Sequence, residues 1–247
     1  MLPPLILLHG FTQTRQSWRR TAMALGSRYR AITPDLPGHG QAALRTPSFD
    51  AVTAYLRALA PQEPFTLAGY SMGGRIALHA AFTLPLDRLI LIGASPGLQD
   101  PKEREQRKRA DEQLANKIEA IGVEAFAREW GRLPLFTGQP DGVRAAAYAD
   151  RLRNTPHGLA QALRGFGTGH MEPLWDRLPE LTIPVTLITG DRDQKFRALA
   201  EQMAARLPNA QHVTIPNTGH APQLEDPEGV ARAIAYQSGS PSSSASA

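Results

Sequence analysis

A serine with a glycine two residues to either side stands at Gly69-Tyr70-Ser71-Met72-Gly73. It follows the apolar run 65–69 and precedes a stretch, 72–82, rich in Ala, Ile and Leu. A sharp turn from strand to helix has no room for Cβ atoms beside the serine, and the glycines supply that room. Such a turn exposes the hydroxyl and points the positive end of the following helix toward it. A hydroxyl so placed can attack a carbonyl or, once deprotonated, take a proton. Either chemistry needs a base, and the base needs an acid to orient it.

In serine sites of this strand–turn–helix kind the chain order is serine, acid, histidine. The run 185–189 ends in Gly190-Asp191-Arg192-Asp193, and the run 212–215 ends in Pro216-Asn217-Thr218-Gly219-His220. Both stretches leave strands, so both can reach the edge where Ser71 lies. His220 is the best-placed base among seven histidines. Asp191 and Asp193 both compete to orient it; the other serves as a turn or surface charge. His9 and His39 lie in loops near that edge and read as turn hydrogen-bonders. His79 reads as packing, and His157, His170 and His212 have no chemical context. Negative charge developing in the site calls for backbone N–H donors after the serine and after the first strand. These are Met72 and Phe11.

The elements that must position these groups follow from pattern. Short apolar runs at 5–8, 30–33, 65–69, 88–93, 185–189 and 212–215 predict strands; 50–60, 72–82 and 195–207 predict helices. Strands alternating with helices imply a parallel sheet covered on both faces. Residues 98–178 break the rhythm: helical, charged, and punctuated by prolines 134, 140, 156 and 173. That is too much helix for a simple crossover, and predicts a cap inserted over the C-terminal edge of the sheet, where open α/β sheets bind ligands. The expected division is a core of 1–97 and 179–237, a helical cap of 98–178, and a disordered tail of 238–247 (SGSPSSSASA).

Composition narrows the function classes. A chain of 247 residues accommodates one large α/β domain with an insertion. The formal net charge is only +4, and no basic block or nucleic-acid signature accompanies it. With no cysteine there is no disulfide, thiolate nucleophile or thiolate metal site, which fits a cytoplasmic protein. No apolar run is long enough to span a membrane, and no leader is visible before the first strand. A monomer or small homo-oligomer is expected.

Together the motifs resemble the α/β-hydrolase superfamily. GYSMGGRIAL, ASPGLQDPKEREQRKRADEQLA, FAREWGRLPLF, LRNTPHG and TGDRDQKFRALAEQM resemble one family in it: the 2-succinyl-6-hydroxy-2,4-cyclohexadiene-1-carboxylate synthases of menaquinone or phylloquinone biosynthesis. The resemblance runs from about residue 5 to about residue 235. It implies an α/β-hydrolase fold, with a mostly parallel sheet, helices on both faces and an inserted helical cap. It implies a lyase that eliminates pyruvate from a small tricarboxylate, using no metal or organic cofactor. It selects Asp193 as the orienting acid. It places Arg75, Arg107 and Arg153 on the substrate carboxylates, which a planar guanidinium fork suits, and Trp130 and Tyr70 in the pocket. From spacing alone, Arg107 reads sooner as a solvated helix face paired with Asp111 at i+4, and the resemblance reverses that order. An esterase or carbon–carbon bond hydrolase with the same triad is the competing enzyme reading, and an inactive ligand receptor of the same fold a third.

Overall fold

The computed structural model describes residues 2–60 and 64–236; the tail 238–247 lies outside them. The apolar runs become β1 (Pro4–Leu8), β2 (Arg30–Ile32), β3 (Phe65–Tyr70), β4 (Leu86–Ile92), β5 (Val185–Gly190) and β6 (Ala210–Ile215). They form one sheet in the order β2-β1-β3-β4-β5-β6, with every pairing parallel. β1, β3 and β5 are buried along their whole length, as strands covered on both faces must be. The period of two divides each strand between two cores. Phe65 and Leu67 join Ile6, Leu8, Leu89 and Leu91 on one face. Ala68 and Tyr70 join Leu5, Leu7, Ile90 and Ile92 on the other.

Nine helices are present among the described residues: α1 (Arg19–Leu25), α2 (Phe49–Leu59), α3 (Met72–Ala80), α4 (Pro101–Trp130), α5 (Asp141–Arg151), α6 (Pro156–Phe166), α7 (Gln194–Ala204), α8 (Pro222–Glu225) and α9 (Pro227–Ala235). α1 and α9, which pack on each other, escape the sequence reading. α1 buries only Thr21 and Leu25, and the buried face of α9 spans only nine residues, so neither gives a pattern long enough to read as a helix.

Between β4 and β5 the described chain is helical, without a strand. Asp100 caps α4 by accepting from Lys102 N at 2.8 Å, and Pro101 opens its first turn. Gly122, at φ 79°, breaks the helix so that its last turns change direction. Ala115, Ile118 and Phe126 of α4 then pack with Leu159, Ala160 and Leu163 of α6, and Phe11 from the loop after β1 joins them. This small core seats the helical segment over the loop that carries one of the expected oxyanion donors.

That loop is pinned by two buried histidines. Leu36 N donates to His9 Nε2 at 2.9 Å, so the proton sits on Nδ1 and is donated to Gly10 O at 2.9 Å. Thr12 N donates to His39 Nε2 at 3.4 Å, and His39 Nδ1 donates to Pro37 O at 3.2 Å. Each ring is a neutral strut between the loops after β1 and β2. Burial lowers His9 to about 4; burial, then the neighbouring His9, lowers His39 to about 3. In the unfolded chain both return to 6.5. Below that value the unfolded state binds protons the native state refuses. Stability is therefore full above pH 6.5 and declines as pH falls toward 4. The expected slope is about 1 kcal/mol per pH unit for each histidine. Urea melts of His39→Asn between pH 4.5 and 7 should show a shallower slope than wild type, and an identical slope would remove this account.

Candidate functional site

The C-terminal ends of β3, β4, β5 and β6 and the loop after β1 converge on Ser71. Its backbone stands at φ 51°, ψ −109°, outside the regions open to ordinary residues. Ser71 N donates to Ile92 O at 2.8 Å, and Arg75 N returns to Ser71 O at 3.0 Å. The two elbow glycines are required sterically. A Cβ on Gly69 would run into Gly73 O, and one on Gly73 into Leu8 O and His9 O.

His220 Nε2 lies 3.3 Å from Ser71 Oγ, and its Nδ1 lies 2.7 Å from Asp193 Oδ2. The imidazole is held from both sides, by Tyr70 at 5.3 Å and Phe196 at 4.4 Å between ring centroids. Gly93 leaves space for it, since a Cβ there would stand 3.0 Å from His220 Cε1. Asp193 is also the N-cap of α7, where its Oδ1 accepts from Phe196 N at 3.3 Å. Asp191 has a different task. Its carboxylate accepts from Asn217 N at 2.9 Å and Thr218 N at 3.1 Å, which holds its pKa below the usual carboxylate value. It fastens the loop bearing His220 to the end of β5, without touching the ring.

A cavity of about 220 Å³ opens above Ser71 and His220. Phe11 and Met72 both line it. Among the described residues, neither of their backbone N–H groups donates to a protein acceptor. Both are therefore available to an oxygen in the cavity.

Arg75 and Arg107 face this same space. Arg75 donates from Nη1 to Phe166 O at 2.5 Å and, among the described residues, pairs with no carboxylate. Burial, then the positive charge of Arg107, lowers it to about 10, leaving it charged at neutral pH. Arg107 donates from Nε to Asp111 Oδ1 at 2.8 Å, so the i+4 pair and the cavity position coexist. Asp111 is buried, and its Oδ2 lacks a partner beside Gly167. Trp130 also lines the cavity, stacked edge-on to Phe11 at 5.2 Å.

Two expected positions differ. Tyr70 does not line the cavity: β3 alternation turns its ring to the opposite face of the sheet, against Gly10 and behind His220. Burial there raises its pKa. Arg153 does not line it either. Its side chain is 59% exposed, with Nε 3.8 Å from Asp150. The flanking residues dictate this. Asp150 accepts from Thr14 N at 2.9 Å and Thr14 Oγ1 at 2.5 Å. Asn154 donates to Thr12 O at 2.8 Å and accepts from Gly40 N at 3.1 Å. With both neighbours fixed inward on the β1 loop, Arg153 projects outward. A third cation does reach the cavity: Lys195, two residues past Asp193. The stretch GDRDQKF carried it in plain view, but helix periodicity alone does not say which way the first turn of α7 faces. Among the described residues, no cluster of three or more metal-ligating side chains occurs, and no helix is long and apolar enough to cross a membrane.

The sequence matches the alpha/beta hydrolase family over residues 5–233. It is 35% identical over 240 residues to the 2-succinyl-6-hydroxy-2,4-cyclohexadiene-1-carboxylate synthase of Escherichia coli, covering 95% of this chain and 93% of that protein. A Bacillus subtilis protein given the same name provisionally is 37% identical over 235 residues, covering 90% and 85%. The solved structure of MenH from S. aureus superposes with a TM-score of 0.90 at 34% identity, covering 94% of this chain and 91% of that one. A thermophilic esterase from Thermogutta terrifontis, solved with malate bound, superposes at 0.79 with 28% identity, covering 94% and 88%. The chain belongs to the alpha/beta hydrolase family and, within it, to the 2-succinyl-6-hydroxy-2,4-cyclohexadiene-1-carboxylate synthases.

Proposed function

We propose that this protein is a carbon–oxygen lyase of quinone biosynthesis. It eliminates pyruvate from 2-succinyl-5-enolpyruvyl-6-hydroxy-3-cyclohexene-1-carboxylate and leaves 2-succinyl-6-hydroxy-2,4-cyclohexadiene-1-carboxylate. The observation that carries this reading is one cavity holding Ser71, His220 and three cations, Arg75, Arg107 and Lys195. The substrate brings three carboxylates. A guanidinium or ammonium turned into a small space is costly to leave unpaired, and a carboxylate offsets that cost.

The reaction needs a base more than a nucleophile. The ring proton beside the succinyl ketone is acidic because its carbanion delocalises into that carbonyl. Asp193 orients His220, His220 takes the Ser71 proton, and Ser71 Oγ removes the ring proton. The backbone N–H groups of Phe11 and Met72 stabilise the oxyanion of the resulting dienolate. As the enolate collapses, the ring double bond shifts and the C–O bond to the enolpyruvyl group breaks. The departing enolate becomes pyruvate by taking up, at its terminal carbon, the proton held by His220, which restores the neutral imidazole. No acyl-enzyme forms. The helical segment 98–178 acts as a cap, keeping water from competing for the base.

The same triad serves an esterase, and the likeness to the Thermogutta terrifontis esterase supports that as second reading. Fast turnover of p-nitrophenyl esters without pyruvate release from the pathway intermediate would select it.

Replacing the base should remove the chemistry and spare recognition. Ser71→Ala should lower kcat for pyruvate release, followed by coupled lactate dehydrogenase, about a thousandfold or more. Substrate affinity should hold within about threefold, the size of an ordinary surface effect. Normal turnover would refute the base assignment. The arginines should separate by position. Arg75→Ala should cost about 2 kcal/mol or more in kcat/KM, whereas Arg153→Ala should cost under about 0.5 kcal/mol. Equal losses would place Arg153 in the substrate site after all.

A further inference from the structure

The mechanism leaves one buried acid without a role. Glu225, on α8, has a side chain 2% exposed and pairs with Arg192, Nη2 to Oε2 at 2.9 Å. The same Oε2 accepts at 2.9 Å from Gly219 N, in the residue before His220, and Oε1 accepts from Gln139 Nε2 at 3.3 Å. Arg192 directly precedes Asp193. Beyond Glu225 it donates from Nη2 to Asn217 O at 3.0 Å and from Nη1 to Gly138 O at 3.4 Å. Its backbone N donates to Thr218 O at 3.0 Å. One ion pair therefore ties together the residue before the triad acid, the residue before the triad base and the loop 137–140 of the helical segment. A buried carboxylate is costly, and an apolar side chain at this place would avoid that cost. What an apolar side chain lacks is an acceptor for Gly219 N. The backbone is fitted closely around the pair. A Cβ on Gly219 would stand 3.3 Å from Glu225 Oε1, and one on Gly138 2.9 Å from Arg192 Nη1.

We propose that Glu225 and Arg192 are positioning residues for the base of the triad: their ion pair sets the backbone at Gly219 and so holds His220 Nδ1 on Asp193 and Nε2 at Ser71 Oγ. The His220 ring itself faces Ser71, Asp193, Tyr70 and Phe196, so the pair acts on it through the chain. Asp191 fastens the same loop upstream, at Asn217 and Thr218, which leaves Gly219 N to Glu225. This role rests on His220 being the base of the proposed lyase, but its first test needs no substrate.

Proton NMR of the full chain reads the contact directly. With Ser71 donating to Nε2, the His220 proton sits on Nδ1, held against Asp193. It should give a far-downfield resonance in wild type that is absent from His220→Gln. Arg192→Met and Glu225→Ala should each broaden it away. Glu225→Gln, which keeps an acceptor for Gly219 N, should restore it. In pyruvate release the two disrupting variants should lower kcat about tenfold or more while KM holds within about threefold. A merely structural role would lower Tm and leave the resonance and kcat in place. The proposal is overturned if wild type lacks the resonance, if it survives unchanged in both Arg192→Met and Glu225→Ala, if Glu225→Gln loses it as fully as Glu225→Ala, or if both disrupting variants turn over as wild type does. If wild type releases no pyruvate, the lyase reading fails and the resonance alone decides this proposal. Should Glu225→Ala fail to fold, Arg192→Met, at a half-exposed position, decides.

Discussion

The site depends on one strained residue. A serine at φ 51°, ψ −109° costs about 1–3 kcal/mol and persists only where its surroundings over-determine it. Here the sheet does so. Ser71 N is committed to the end of β4, and α3 begins immediately. The elbow then lies so close to the end of β1 that Gly73 must have no side chain. Because the same strand ends also launch the loops bearing Phe11, Asp193 and His220, the position of Ser71 fixes the geometry of the rest. Asp191 and the His9–His39 struts extend this economy: each polar group near the edge ties one loop to the next and leaves the reacting atoms unencumbered.

Electrostatics gives the cavity its second property. Arg75 rises from α3 of the sheet layer, Arg107 descends from α4 of the helical segment, and Lys195 stands at the start of α7. Of these, Arg107 has a protein carboxylate, Asp111, while Arg75 spends one donor on the carbonyl of Phe166. A polycarboxylate ligand would therefore bridge parts of the chain far apart in sequence. Its charges would complete the packing of helices over sheet as well as anchor the substrate.

Much of this was legible in the sequence, because it is set by local chemistry. Strand runs, the glycine-flanked serine and the histidine after the last strand each carry their own signature, and all six strands lie within a few residues of the apolar runs. What the sequence concealed is direction. Tyr70 adjoins the serine in the chain, yet strand alternation sends it behind the base. Arg153 resembles its family position, yet Asp150 and Asn154 turn it outward through bonds to residues more than a hundred positions away. Arg107 keeps its i+4 partner and also faces the cavity, since a guanidinium has donors enough for a carboxylate and a cavity together. α1 and α9 are short, seven and nine residues, and each carries too little periodic pattern to stand out.

The triad alone does not choose between hydrolysis and elimination; the proposed elimination draws its support from the surroundings. A hydrolase must admit water to release an acyl group from serine. The walls here carry Phe11, Trp130, Phe166 and Phe196, and the polar side chains among them include Arg75, Arg107 and Lys195 beside Ser95 and Thr168. An anionic substrate neutralising those cations would displace the water they hold. What remains near Ser71 Oγ is a base, two N–H donors and a ring carbon made acidic by its ketone. In that setting proton removal is the step with the least reorganisation, since the donors are already in place before charge develops. His220, held between Tyr70 and Phe196, cannot swing toward solvent without breaking its bond to Asp193. On the proposed reading, the fold supplies a serine with the activating apparatus of a nucleophile, and the cations around it suit its use as a base.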